Sequence, residues 1–397
     1  MPLSAIAGSW PLLLGMGVLM LGAGLQSTLL GLRATLEGFS PHVTGIVMSC
    51  YYAGYLVGTR IAPPLLRKVG HIRVFAALAA IASVSILLQG CFVNPMIWAA
   101  MRLVSGIGFA GIYVVAESWL NHRASRANRG SLLAIYMLVL YVGLGSAQFL
   151  LALSDPATPA PFMLVSALIS LALVPIALSE HQIPERAAPS KVRLLELYSN
   201  SPLGVAGVTV SGMISATIFS MGPVYARLSG LETQGIAIFM GVSILAAVVT
   251  QYPVGRISDR IDRRTVIAGI CTLATLVAGS IVAFKAVPHG LFLTLAGLFS
   301  GLALTLYSLS VSHVNDKLEP AQMVAASSAL LLLNGTGAIV GPMLSGSLMA
   351  AFGAQAYFAT LATLTAALLV YDLWRKSRRR PVPPLQKIPF VGTQPRA

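Results

Sequence analysis

Charge is scarce in this chain. Only 10% of its 397 residues are Asp, Glu, Lys or Arg, only 12 of them are acidic, and 56% are hydrophobic. A globular domain in water carries about 25% charged residues, so a soluble fold is excluded and a polytopic membrane protein is the class that remains. Cysteine is also scarce: Cys50, Cys91 and Cys271 lie in apolar runs without a C-x-x-C spacing, which excludes a disulfide framework and a thiolate metal site. A G-x-x-x-x-G-K-[ST] loop is absent, as is a polar domain that could hold ATP, so the energy for any work must come from an ion or solute gradient. No nucleophile, base and orienting acid occur together outside the apolar runs, which argues against an enzyme. Neither a cofactor nor a metal is expected. Residues 1–10 lack a basic n-region and the first apolar run exceeds a signal h-region, so an uncleaved first helix is expected.

What is present is length without charge. Uncharged stretches cover residues 1–32, 74–101, 130–154, 156–179, 197–226, 233–255, 265–284 and 286–315. Each suffices for one helix of about 20 residues. The run 320–371 is interrupted by Phe352-Gly353-Ala354-Gln355 and reads as two spans joined by a turn. Two further spans carry single charges at Arg60 and Arg102. The expectation is an all-α polytopic fold of twelve transmembrane helices in two six-helix halves.

Orientation follows from the basic residues, because positive loops stay in the cytoplasm. Twenty-one of the 26 Lys and Arg residues fall on one side, and only Arg33, Arg227 and Lys285 fall in the opposite loops. Both termini are therefore expected in the cytoplasm. The net charge of +14 then reads as a topology signal, with the tail segment Arg375–Arg380 resting on anionic lipid headgroups; nucleic-acid binding is not expected.

The longest polar break, 181–200, divides an N-terminal bundle (1–180) from a C-terminal one (201–375), followed by a basic tail (376–397). An internal repeat supports the division. Ser105-Gly106 with Tyr113 and Asn121 recurs as Ser300-Gly301 with Tyr307 and Asn315, and Gly143 maps onto Gly337. Related halves are what a transporter that rocks around one site needs.

Between two charge-free runs lies Gly255-Arg256-Ile257-Ser258-Asp259-Arg260-Ile261-Asp262-Arg263-Arg264. This segment resembles the G-x-x-x-D-R-x-G-R-R loop of the major facilitator superfamily, with Asp262 where the second glycine is usual. Arg102-Leu103-Val104-Ser105-Gly106-Ile107-Gly108 resembles the superfamily's R-x-x-x-G-x-G pattern, with Gly106 and Gly108 as packing positions. The segment 337–346, with Gly337, Gly341 and Pro342, is similar to the G-x-x-x-G-P signature of its antiporters, although here it lies in the eleventh span and its first-half counterpart lacks the proline. Glu117-Ser118-Trp119-Leu120-Asn121 and Gln251-Tyr252-Pro253 resemble the YcaD-like bacterial branch. The resemblance implies a multi-pass protein of the bacterial inner membrane that moves a small molecule by alternating access.

Charges inside the membrane are the leading functional candidates, since an unpaired ion there costs several kcal/mol. Arg102 and Tyr113, eleven residues apart and so about three turns, share one face of the fourth span. Arg102 is read as attracting an anionic group or ordering a proton relay, with a structural arginine bonded to helix carbonyls as the alternative. Glu117 paired with Arg60 or Arg67 would form a gate, or a fixed salt bridge. Gly255, Asp259, Arg260 and Arg263 belong with that gating group, and His313 titrates near neutral pH unless it is a hydrogen-bonded interfacial residue. Gln26 and Arg33, Ser211, Ser215 and Tyr225, and Tyr307 complete a candidate substrate cavity, with backbone-bonded hydroxyls and interfacial tyrosines as the alternative readings. Met16 and Met20, at i and i+4, offer two thioethers to Cu(I), against a packing role. The reading is a monomeric secondary transporter, proton-coupled, with efflux favoured. An uptake permease for a nutrient or metal and a non-transporting scaffold or sensor stand as alternatives.

Overall fold

The computed structural model describes residues 3–123, 129–178, 194–284, 288–318 and 320–376. Regular structure among the described residues is helical: α1 (Leu3–Leu36), α2 (Pro41–Val69), α3 (His71–Cys91), α4 (Pro95–Arg123), α5 (Arg129–Leu150), α6 (Ala160–Leu171), α7 (Leu173–Ala177), α8 (Leu194–Asn200), α9 (Pro202–Leu228), α10 (Thr233–Arg260), α11 (Arg263–Ala283), α12 (His289–Asn315), α13 (Pro320–Phe352) and α14 (Ala356–Lys376), with one 3-10 turn after α5. In a bilayer no water reaches the backbone, so uncharged runs of this length satisfy their amides by coiling into helices. Eleven spans are long and apolar enough to cross a membrane, α6 and α7 together making one of them. The twelfth long helix is α2, whose 29 residues carry Arg60, Arg67 and Lys68. The tail beyond Lys376 and most of the 181–200 break lie outside the described residues; Leu194–Asn200 of that break forms α8.

Helix ends follow local chemistry. Ser40 accepts from the Val43 amide at 3.3 Å while Pro41 opens α2, an N-cap with proline in the first turn. Past α1, Gly38 takes φ 75°, and past α9, Gly230 takes φ 86°. At both ends the next amide reaches back across the turn, Phe39 to the Ala34 carbonyl at 2.9 Å and Leu231 to the Ala226 carbonyl at 3.0 Å. These are matching C-terminal caps that need a glycine in the left-handed region.

Two compact units emerge. The first comprises Met1–Ala187 with the α9–α10 hairpin Gly222–Gly241. Within it α2 lies against α4 with no room for side chains: a Cβ on Gly54 would strike the Leu103 backbone, and one on Gly106 the Tyr51 carbonyl. Likewise α1 meets α5 at Gly24 and Gly143, facing Ala147 and Met20. Ser83 of α3 bonds the hydroxyls of Ser166 at 2.7 Å and Ser170 at 3.0 Å on α6.

The second unit comprises Ala188–Met221 and the chain from Val242. It repeats the devices of the first. A Cβ on Gly337 or Gly341 of α13 would strike the Thr209 or Met213 backbone of α9, and Thr250 of α10 donates to the Gly301 carbonyl of α12 at 2.8 Å. Thr275 and Thr365 join α11 to α14 at 2.8 Å. Small residues let helices approach, and hydroxyls that would otherwise face hydrocarbon bond across the contact.

Candidate functional site

Arg102 is the most unusual buried group. It sits about two turns into α4, only 3% exposed, and its guanidinium lies over the Tyr51 ring at 4.3 Å from the centroid. Its Nε is buried without a hydrogen-bond partner. The groups that act on it electrostatically are Tyr51, Tyr52 and Cys50 of α2, none of them a carboxylate. The glycine crossing at Gly54 and Gly106 is what brings Tyr51 over Arg102. Gly108 serves a different contact, since a Cβ there would meet α3 at the Leu78 carbonyl, 3.1 Å away.

From Tyr51 an aromatic run follows the α2–α4 seam: Tyr51 to Phe109 at 6.1 Å between centroids, Tyr51 to Tyr55 at 6.2 Å and Tyr55 to Tyr113 at 6.2 Å. Tyr113 donates to the Met20 sulfur at 3.1 Å. Met16 and Met20 are both 0% exposed, so their thioethers are packing groups on α1 rather than an open pair of ligands. Glu117, half-buried one turn past Tyr113, acts electrostatically on Tyr55, Tyr113 and Tyr136. Arg60 and Arg67 lie exposed on α2. Gln26 is 1% exposed with its Nε2 unpartnered. Arg33 ends α1, paired with Glu37 at 2.5 Å and donating to the Pro156 carbonyl at 3.0 Å, so it ties a helix end to a loop.

The 255–264 segment is a compact electrostatic joint. Gly255 is buried and accepts from the Ser258 hydroxyl at 2.9 Å. Arg263, 1% exposed at the start of α11, reaches Asp316 at the end of α12 (3.2 Å) and Asp259 in the last turn of α10 (3.6 Å). Arg264 binds the Asp372 carboxylate and carbonyl, both at 3.2 Å, fastening α11 to α14. Arg260 is exposed. His313, one turn before Asp316, is 4% exposed with an unpartnered Nε2.

In the second unit Ser211 donates to the Val208 carbonyl at 2.8 Å and receives Asn334 Nδ2 at 3.4 Å, while Ser215 donates to Gly212 at 3.3 Å. Tyr307 packs among Leu197, Val208, Val314 and Leu330, an apolar core. Tyr225, clustered with the first unit, lies 6.0 Å from the Phe239 ring. Pro342 lies inside α13, beside the close approach at Gly341.

Sequence reasoning passed over Tyr51, Tyr55, Asp316, Asp372 and Asn334. Tyr51 and Tyr55 carried a usable signal, being i and i+4 on one helix face. The two aspartates carried none, because each finds its arginine only through tertiary contact.

A helical membrane protein with close glycine crossings and a buried arginine has the build of a transporter. The family model of the Major Facilitator Superfamily matches residues 12–287 and 233–395, and the chain belongs to that superfamily. It is 28% identical over 341 residues to an uncharacterized MFS-type transporter of Enterobacter sp. (strain 638), covering 85% of this chain and 88% of that one. It is 29% identical over 329 residues to the uncharacterized MFS-type transporter YcaD of Escherichia fergusonii, covering 82% and 85%. Among solved structures, the nucleoside transporter NupG shares the fold with a TM-score of 0.80 at 14% identity, over 94% of this chain and 99% of that one. A bacterial homolog of the human lysosomal transporter Spinster, inward-facing and unoccupied, has a TM-score of 0.72 at 15% identity, over 94% and 95%.

Proposed function

We propose that this protein is a secondary active transporter of the bacterial inner membrane, acting as a monomer with both termini in the cytoplasm and exporting a small, partly apolar or anionic solute in exchange for protons that enter down their gradient. The observation that carries the reading is Arg102. A cation 3% exposed in an apolar helix, with no carboxylate acting on it, is retained at a cost of several kcal/mol. A solute or a relayed proton that visits it supplies the missing compensation. The cytoplasmic side carries the gate, with Glu117 and Arg60 or Arg67 in the first half and Asp259, Arg260, Arg263 and Asp316 in the second. Alternating access then amounts to making and breaking such pairs as each half moves.

The test is a solute screen in energised inverted vesicles from cells that make the protein, read by mass spectrometry. At least one solute should accumulate, and its accumulation should vanish with a protonophore and with Arg102→Ala. A profile identical to that of vesicles lacking the protein would sink the reading. Accumulation that survives the protonophore would retain transport and remove the proton.

A further inference from the structure

We infer that Arg102 and the tyrosine run beside it form a recognition site for a monoanion with a flat aromatic body; this inference rests on the transporter reading above. Two needs of the site set the ligand's chemistry. The first is charge. Arg102 presents five donors in a fixed fork suited to a planar or tetrahedral oxyanion, its Nε has no partner, and neither Asp nor Glu is paired with it among the described residues. One face of the guanidinium rests on the Tyr51 ring, so its edge is left to donate.

The second need is surface. Tyr51, Tyr55 and Tyr113 are only half-buried, and with Phe109 they make a line of ring faces and edges leading away from the cation in steps of 6.1 to 6.2 Å. Rings at that spacing already pack on one another, so what they offer is a platform of remaining faces and edges, on which a flat ring gains more than an aliphatic chain because offset and edge-to-face pairs add to the burial of area. The far end of the line sets the charge limit. Glu117 acts on Tyr55 and Tyr113 there, so a second negative group on the ligand would be repelled. A cationic head is excluded beside Arg102 for the mirror reason.

The experiment uses the full chain in detergent micelles and calorimetric titration with benzenesulfonate, whose charge is permanent, against benzenesulfonamide, cyclohexanesulfonate and benzylammonium. Benzenesulfonate should bind tightest. Arg102→Lys should weaken it about tenfold or more, the loss of one charge-assisted bond. Tyr51→Leu should abolish the preference over cyclohexanesulfonate and Tyr51→Phe should restore the aromatic part of it, while Gly279→Ala in α11, where a Cβ meets nothing within 4 Å, serves as the folded control. Equal binding of the sulfonamide, or unchanged affinity in the folded Arg102→Lys protein, overturns the assignment, and so does absence of any response to benzenesulfonate. Gradient-driven movement of a neutral or cationic solute in the vesicle screen, with benzenesulfonate inert, would remove the substrate class and leave the transporter. Silence in both assays would remove both.

Discussion

Replacing Gly106 by alanine should destabilise the protein, although alanine is the better helix former. A Cβ at Gly106 would fall 2.9 Å from both the Tyr51 carbonyl carbon and the Tyr55 amide nitrogen, and closer still to the Tyr51 oxygen. Ordinary contact begins at 3.4 Å, so the two backbones must part by at least 3.4 minus 2.9, or 0.5 Å. No rotamer change can relieve a clash with backbone, and Gly54 and Gly58 hold the same seam against Leu103 and Ile107. Overpacking of this kind costs about 1–3 kcal/mol, against a propensity gain of up to about 1 kcal/mol for Gly→Ala in a helix. The matched control is Gly279→Ala in α11, where a Cβ meets nothing within 4 Å and only the propensity gain applies. Thermal unfolding in one detergent at one scan rate, followed by intrinsic fluorescence, should place Gly106→Ala below wild type and Gly279→Ala at or above it. If the two variants unfold at the same temperature, the close crossing that brings Tyr51 over Arg102 is not a constraint on the fold.

Other outcomes follow from the same geometry. Asp316→Asn leaves Arg263 with Asp259, which is 3.6 Å away and 40% exposed; it should cost about 2 kcal/mol, more than Asp259→Asn, as judged by chemical or thermal unfolding. Thr28 donates to Gln148 at 2.5 Å and Gln148 donates to the Gly24 carbonyl at 3.3 Å. Either Thr28→Val or Gln148→Leu strands a buried partner at about 1–3 kcal/mol, and the double variant should lose less than the sum. Cu(I) titrated under anaerobic conditions should find no stoichiometric site, because Met16 and Met20 are both sealed and Tyr113 already occupies the Met20 sulfur; a 1:1 complex lost in Met20→Leu would refute that.

The membrane architecture was legible because it depends on long-range absence of charge, which needs no knowledge of contacts. Local devices recur at a similar offset: Gly38 and Gly230, and Ser83 and Thr275, stand in equivalent roles 192 positions apart. The loop at 255–264 could be recognised by its residues, yet the partner that completes it, Asp316, stands 53 positions beyond Arg263 at the end of another helix. Ser211 and Ser215 donate to carbonyls of their own helix, the cheapest way to satisfy a hydroxyl in hydrocarbon and the alternative that their sequence positions already carried. Tyr307 is the repeat counterpart of Tyr113, but its surroundings differ: Tyr113 meets a methionine sulfur beside half-buried tyrosines, whereas Tyr307 is enclosed by leucine, valine and alanine. Pseudo-symmetry conserves where helices cross more closely than what the side chains there do.

The most direct test of the central claim is counterflow in proteoliposomes without ATP or a membrane potential. Vesicles loaded with unlabelled benzenesulfonate and diluted into a trace of labelled compound should show a transient inward overshoot of label with wild-type protein. No overshoot should appear with Arg102→Gln or with empty liposomes. An identical trace from wild type and Arg102→Gln would contradict the claim that this arginine handles the transported solute.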